Sequence, residues 1–261
     1  MSVEENRISA VVTTWNVETK IRACIESLAW ADEVLVVDSF SSDRTVEICQ
    51  ELGCRILQHP YDSYSAQNNW AIPQAKYPWV LIWDSDEVCP PELREEIQQE
   101  MNHPQYTGYA MRRQTQFFGR WIKYSGWQKD WPTRLFQRNR GRFVLRKNHT
   151  HVILDGALGR FKHPLLHYTF ENLDVWMERF QRYALWSAKD AYHRGDKPTF
   201  VNLSLRPLWR FFRAYILKRG FLDGKQGFMI SMFSMFSVFM RYLYLQEILD
   251  GTRDPEKVYD K

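Results

Sequence analysis

The 261-residue chain is 44% hydrophobic and 15% aromatic, with 35 Lys and Arg against 31 Asp and Glu, a net charge of +4. That is apolar material for one large domain or two small ones, and it excludes a disordered or low-complexity chain. The four cysteines, Cys24, Cys49, Cys54 and Cys89, form no C-x-x-C pair, which excludes the common zinc and dithiol modules and predicts reduced thiols in a cytosolic protein.

The start, Met1-Ser2-Val3-Glu4-Glu5-Asn6, is polar and acidic, unlike a signal peptide. Ile8 to Val12 is a short apolar run that reads as a buried strand and ends in Thr13-Thr14-Trp15-Asn16. Val17 to Trp30 has Ile21, Cys24, Ile25 and Leu28 at helical spacing, with Asn16 as N-cap. A second strand, Val34 to Val37, ends at Asp38; a polar loop then opens a helix, Arg44 to Leu52, closed by Gly53. A short strand over 55–58 and a helix over 65–75 lead to the run Trp79 to Trp83, which stops at Asp84-Ser85-Asp86-Glu87. Pro91 opens the next helix, to Asn102.

Strands and helices alternating through short links predict a mainly parallel sheet covered on both faces. Neither G-x-G-x-x-G nor a P-loop pattern is present, which excludes the usual dinucleotide and ATP folds built on those glycines. Successive strands end instead in Thr13-Thr14, Asp38 and Asp84-x-Asp86. Asp38 can accept from a base N–H or a ribose hydroxyl, and Asp84 from ribose. Two carboxylates one residue apart can share a divalent cation, and Mg²⁺ is typically held by one or two carboxylates plus substrate phosphates. Together they predict a nucleotide–diphosphate site assembled by metal. The competing reading of D-x-D alone is a solvated acidic turn.

The order V-V-T-T-W-N, V-V-D-S-F-S-S-D-R-T and W-V-L-I-W-D-S-D-E resembles family 2 glycosyltransferases of the GT-A fold. Phe118-Gly119-Arg120-Trp121-Ile122, Trp131-Pro132-Thr133-Arg134-Leu135-Phe136, Leu166-His167-Tyr168 and Arg219-Gly220-Phe221-Leu222-Asp223-Gly224 resemble the lipopolysaccharide-core β-1,4-glucosyltransferase branch. The resemblance implies a UDP-sugar donor, a Mg²⁺ or Mn²⁺ ion and inversion at the anomeric carbon. It implies that Thr13 and Asp38 touch the uracil, Asp84 the ribose and Asp86 the metal. Val17, Asn68 and Thr150 depart from the branch pattern, where an acid, a basic residue and a Glu are usual.

From Arg112 to Lys147 eleven Lys and Arg face a single acid, Asp130, so this stretch suits an anionic partner. An inverting transfer needs a base for the acceptor hydroxyl. Asp130 is the expected base, with an ion pair to Lys129 or Arg134 as its alternative role. His149 and His151 are the runners-up: on a strand they share a face, and the pair with Asp86 could in principle bind metal, against the favoured reading of core or surface histidines. Trp121, Trp127 and Trp131 either stack on sugar or pack. Arg134 to Arg138 alternates as a half-buried strand.

Leu173 to Tyr192 is an amphipathic helix whose stripe predicts core. A boundary is expected after residue 198, giving a GT-A domain over 1–198 (nucleotide-sugar half 7–105, acceptor half 106–198) and a helical extension over 199–261. That extension pairs a basic, aromatic stretch from Leu205 with an apolar one, Gly227 to Leu245, whose uninterrupted part, Phe228 to Met240, is short for a membrane span. The combination suits the inner face of a membrane. The expected protein is a hexosyltransferase acting on an anionic envelope glycolipid or the inner-core heptose. The rivals are transfer to a polyprenyl-linked sugar and a non-catalytic basic module for lipid or RNA; RNA-binding motifs are absent, so no nucleic-acid partner is expected. Oligomeric state is left open.

Overall fold

Apolar residues alternate sides along the strands of the N-terminal half, and helices cover both sides. The computed structural model describes residues 3–145, 150–170 and 173–255. The chain divides into two compact units, Met1–Gln114 with Lys129–Tyr168, and Thr115–Gln128 with Thr169–Lys261. The division after Tyr168 falls earlier than the boundary expected after 198, because the long helix that follows packs with the C-terminal helices.

In the first unit the elements are β1 (Ile8–Thr14), α1 (Ile21–Leu28), β2 (Glu33–Asp38), α2 (Thr45–Glu51), β3 (Arg55–Gln58), α3 (Tyr64–Ala71), β4 (Trp79–Asp84), β5 (Glu87–Val88), α4 (Pro91–Glu100) and β6 (Gly108–Ala110). β7 (Arg113–Phe117) carries the chain into the second unit, where β8 (Arg120–Trp121) follows. Back in the first unit lie β9 (Thr133–Gln137), β10 (Gly141–Phe143), β11 (Val152–Leu154) and β12 (Leu158–Arg160), and β13 (Leu165–Phe170) begins there and runs past Tyr168 into the second. The seven-stranded sheet runs β12-β6-β9-β4-β1-β2-β3. β4, β1, β2 and β3 are mutually parallel, and β9 is antiparallel to β4 and β6.

The unbroken apolar runs follow from this burial on both faces. Ile8, Ala10 and Val12 of β1 and Trp79, Leu81 and Trp83 of β4 pack with Ile21, Ile25 and Leu28 of α1 and Leu93 and Ile97 of α4. Val11, Val80 and Ile82 point the other way, onto Ala71, Ile72 and Phe136. Each fully buried large side chain contributes about 1.5–3 kcal/mol. Two helices are shorter than the sequence predicts. A turn over 17–20 precedes α1, with Ile21 N–H donating to Val17 O. α3 gives way to a 3-10 turn, Ile72–Gln74, at Pro73, which has no N–H to continue the helix.

In the second unit Gln116 and Phe117 pair with Trp121 and Arg120 across a two-residue turn. Phe118 and Gly119 both have positive φ, 44° and 76°, as such hairpin turns require. α5 (Leu173–His193), α6 (Phe200–Leu203) and α7 (Leu205–Phe212) follow, then a π-helical turn, Arg213–Leu217, a 3-10 turn, Gly220–Asp223, and α8 (Gly224–Leu249). Trp176 of α5 meets Phe233 of α8 at 3.8 Å between ring centroids, and Ala188 and Ala191 pack with Tyr242 and Leu245. Arg241, which interrupts the apolar run, pairs with Asp196 at 2.8 Å. Gly227 lies against the carbonyl of Gly220, where any Cβ would collide. Among the described residues, Gly220–Leu249 is the one helix long and apolar enough to cross a membrane by length and composition.

The stripe Leu205, Leu208, Trp209, Phe212 and Ile216 has the i, i+3, i+4, i+7 spacing of a core-facing helix. Here it is exposed, at 59, 58, 56, 43 and 42%.

Candidate active site

The parallel register brings the strand ends to one edge. Thr14 pairs with Asp38, and Thr13 with Asp84. In open α/β sheets this carboxyl edge is where ligands bind. Asp38 is fully buried: it accepts from Thr14 Oγ1 (3.2 Å), from Ser41 N–H (2.9 Å) and Oγ (2.5 Å), and from Gln58 Nε2 (3.4 Å). These bonds tie the loop after β2 to the strand ends. Asn16, at φ 49°, accepts from Ser42 N–H at 2.8 Å, and its own N–H donates to Ser41 Oγ at 2.9 Å. Trp15 and Phe40 stand exposed at 64 and 57% beside these loops.

The three acids after β4 take different surroundings. Asp84 Oδ1 accepts from Tyr64 OH at 2.8 Å and Arg134 Nη1 at 3.3 Å; Oδ2 accepts from Arg134 Nη2 at 2.5 Å and Arg113 Nη2 at 3.2 Å. Glu87 is fully buried and accepts from Arg134 Nη2 at 2.6 Å, Arg113 Nε at 2.9 Å and the Asp84 N–H at 3.2 Å. Burial raises the Asp84 carboxyl, but the charges of Arg134 and then Arg113 outweigh it and hold the group below the usual carboxylate range. At Glu87 burial wins, against Arg134, and the carboxyl is raised. Burial also raises the phenol of Tyr64, so the hydroxyl stays protonated and donates to Asp84.

Asp86 lies on the turn between β4 and β5. His167 Nε2 stands 3.5 Å from its Oδ1. The antiparallel pairing of β13 with β5, His167 opposite Glu87, sets that approach, and Tyr168 N–H donates to Asp86 O at 2.9 Å. A carboxylate and an imidazole fit a Mg²⁺ or Mn²⁺ ion that takes its remaining ligands from substrate phosphate and water. Among the described residues no group of three or more His, Cys, Asp or Glu is arranged to hold an ion alone.

Asp130 has a half-exposed side chain and accepts from Arg113 Nη1 at 3.0 Å. The ion-pair partner is Arg113, neither Lys129 nor Arg134. His151 is exposed, and its backbone carbonyl accepts from Val144 N–H just beyond the Phe143–Val152 pair of β10 and β11; His149 lies outside the described residues. The imidazole beside Asp86 belongs to His167, which the Leu166-His167-Tyr168 motif already contained without a role attached. Tyr64, Arg113, Arg134 and Glu87 were also missed as site residues. Arg134 is 2% exposed on β9, where Leu135 and Phe136 are buried in different clusters, so this strand is covered on both faces and not half-buried as its alternation predicts; an arginine so placed needs acids beside it. Asn68 is buried, donating to Tyr64 O at 2.9 Å. Thr150 Oγ1 donates to Val144 O at 2.7 Å.

The second unit contains a cavity of about 820 Å³ whose lining includes Phe118, Arg120, Trp121, Lys123, Tyr124 and Gln226. Asp223 holds its wall, accepting from the N–H groups of Lys123 (3.0 Å) and Tyr124 (2.9 Å) and from Ser125 Oγ (3.1 Å). Trp121 thus lines a cavity, whereas Trp131 carries the guanidinium of Arg160 at 5.2 Å from its ring centroid.

A family model described as Glycosyl transferase family 2 matches residues 9–165, the greater part of the chain. The chain belongs to glycosyl transferase family 2. This glycosyltransferase is 28% identical over 263 residues to an uncharacterized glycosyltransferase of Rickettsia bellii, covering 93% of this chain and 87% of that one. It is 27% identical over 233 residues to the lipopolysaccharide core biosynthesis glycosyltransferase LpsC of Rhizobium meliloti, covering 86% of each. Among solved structures, S. aureus TarS 1-349 in complex with UDP-GlcNAc superposes with a TM-score of 0.52 at 15% identity, over 94% of this chain and 92% of that one. The fold is GT-A, with a mixed, mostly parallel central sheet.

Proposed function

We propose that this glycosyltransferase moves a hexose, glucose foremost, from UDP onto an envelope glycolipid, with inversion, at the inner face of a membrane. The observation that carries the reading is the convergence of Thr13, Asp38 and Asp84 at one sheet edge, with Asp86 and His167 beside them. Thr13 and Asp38 would meet the uracil and Asp84 the ribose. Both carboxylates already accept several internal bonds, so donor binding shares or displaces one of them. Asp86 and His167 would hold Mg²⁺ or Mn²⁺, which supplies Lewis-acid stabilisation of the leaving diphosphate. Asp130 is exposed enough to take the proton of an acceptor hydroxyl, and its bond to Arg113 orients it.

Two names support the chemistry. TarS, which shares the fold, has been solved with UDP and with UDP-GlcNAc, and LpsC is named for lipopolysaccharide core biosynthesis. The inner-core heptose is therefore the first acceptor to test. The aromatic, cationic cavity around Trp121, Arg120 and Lys123 suits an anionic saccharide. For the membrane, support comes from the exposed apolar stripe of α7, with Arg206, Arg210 and Arg213 on the same segment and no acid from 199 to 222. α8 has a packing role against α5, which favours a peripheral attachment over a span.

The test is UDP release from a panel of UDP-sugars with Mg²⁺ or Mn²⁺. Release with one donor is expected, together with its loss on metal chelation and in Asp86→Ala. No release with any donor, or an Asp86→Ala protein that behaves like wild type, overturns the reading.

A further inference from the structure

The second unit contains a separate, small cavity of about 90 Å³ that the transferase reading does not use. Arg210, Arg213 and Lys218 line it, together with Ser125, Trp127 and Ser234.

Local structure gathers the cations. Arg210 and Arg213 are three residues apart, so the end of α7 presents them on one face. The chain then takes the π-helical turn, in which Lys218 N–H donates to Arg213 O at 2.9 Å. That wider turn sets Lys218 one turn beyond Arg213; π-turns of this kind are frequent at functional sites. Ser125 N–H donates to Lys218 O at 3.1 Å and closes the loop over the same spot. Gly126, at φ 94°, is where the Lys218 side chain crosses: any Cβ there would collide with it.

The charge is one-sided. No carboxylate among the described residues lines the cavity. Asp223, which binds this loop, is occupied by two backbone N–H groups and the Ser125 hydroxyl. Partial burial, and then the charge of Arg213, lower the Arg210 guanidinium from its ordinary value. Two like charges lining one small cavity repel each other, and an anion between them removes that cost. Guanidinium forks match phosphate oxygens in geometry as well as in charge.

We infer that Arg210, Arg213 and Lys218 form a phosphate clamp, taking the phosphate of a lipid headgroup or of a phosphorylated saccharide. Arg210 and Arg213 share their segment with the exposed apolar stripe of α7, so a headgroup phosphate would arrive from the same side of the chain as the lipid. The clamp deepens the membrane part of the proposed function, which already draws on Arg210 and Arg213, and its readout is phosphate binding, so its failure and a failure of UDP release are distinguishable.

The test uses the full-length protein and inorganic phosphate, with chloride at equal ionic strength as control. Phosphate is expected to raise the thermal midpoint saturably. Arg210→Gln and Arg213→Gln should weaken that response about tenfold or more, while being no less stable than wild type without phosphate, since repulsion is relieved. Lys225→Gln removes the same charge at an exposed position on the first turn of α8 and should respond as wild type. A second arm compares vesicles of phosphatidylcholine with and without phosphatidic acid. Weaker binding of the arginine variants to the acidic vesicles, with phosphate competing, assigns the clamp to a headgroup. Unchanged vesicle binding with a lost phosphate response assigns it to a phosphosaccharide. No saturable phosphate response in wild type, or an equal response in Arg210→Gln and Arg213→Gln, overturns the clamp.

Discussion

Arg134 is the residue on which the site's architecture depends. Its guanidinium is buried and bridges Asp84 and Glu87 at 2.5 and 2.6 Å. Removing it takes the nearer cation from both carboxyls, Glu87 fully buried and Asp84 23% exposed, and leaves Arg113 as their remaining ion-pair partner, which costs more than the intact pair contributes. Arg134→Met is expected to lower stability by about 3–5 kcal/mol, read from urea unfolding, and Arg134→Lys to recover only part, because a single ammonium nitrogen cannot also make the bonds of Nη1 to Tyr64 OH and Asp84 Oδ1. Asp130 is the opposite case. Its pair with Arg113 is half-exposed, and such pairs contribute about 0–1 kcal/mol. Asp130→Asn should therefore fold as wild type and bind UDP as wild type, yet lose transfer by roughly 10²–10⁴-fold, the size of a general-base effect. Transfer at the wild-type rate would exclude Asp130 as base. Sequence could name Asp84, Asp86 and Asp130 because a carboxylate at a strand end or alone in a basic stretch stands out. It could not sort Asp84 from Glu87 by environment, since that depends on Arg113 and Arg134, which arrive from β7 and β9, distant in the chain.

At the scale of elements, β1, β2 and β4 were legible because strands buried on both faces read as unbroken apolar runs. β10, β11 and β12 were not: each is three residues long, too short for a periodicity to show, and the partner of β12, β6, lies far off in sequence. The β1–β2 edge also carries a pH dependence. Glu33, at the start of β2, accepts from Ser9 Oγ at 2.5 Å, Lys76 N–H at 2.7 Å and Arg55 Nη1 at 3.0 Å. Burial raises its carboxyl, but the bonds from Ser9, Lys76 and Arg55 prevail and lower it. A depressed carboxyl stabilises the fold above its unfolded value, about 4.3 for Glu, and that contribution disappears as pH falls through the folded value. Glu33→Gln is thus expected to be less stable than wild type at neutral pH, with the gap in urea midpoint closing as pH drops below about 4.3. A gap that stays constant with pH would show that the charge of Glu33 plays no part.

For the whole molecule, the two units have different surfaces. The first presents acids and hydroxyls at one sheet edge; the second presents cations and exposed apolar side chains along α7. An amphipathic stripe normally faces a core, and sequence periodicity cannot say which side is covered. Here the apolar side is open, so Trp209→Ser together with Leu208→Ser should reduce partition onto anionic vesicles while leaving UDP release from the donor, measured with a soluble acceptor, unchanged. Vesicle binding at wild-type strength would place the membrane contact elsewhere. The division after Tyr168 was likewise invisible to composition, because Gly195-Asp196-Lys197-Pro198 looks like a linker. In the fold, Asp196 is pinned by Arg194 and Arg241.

By itself the sequence determined the family, the GT-A sheet and the strand ends that carry Thr13, Asp38, Asp84 and Asp86. Those properties are local: an apolar run, a stop and an acid are written within a few residues of each other. Tertiary structure alone decided that His167 is the imidazole beside Asp86, that Arg113 and Arg134 bind Asp84 and Glu87, and that Arg210, Arg213 and Lys218 share a cavity. Each of those depends on which strands pair and how a helix turns, and charges distant in sequence interact only once that pairing has brought them within a few ångströms.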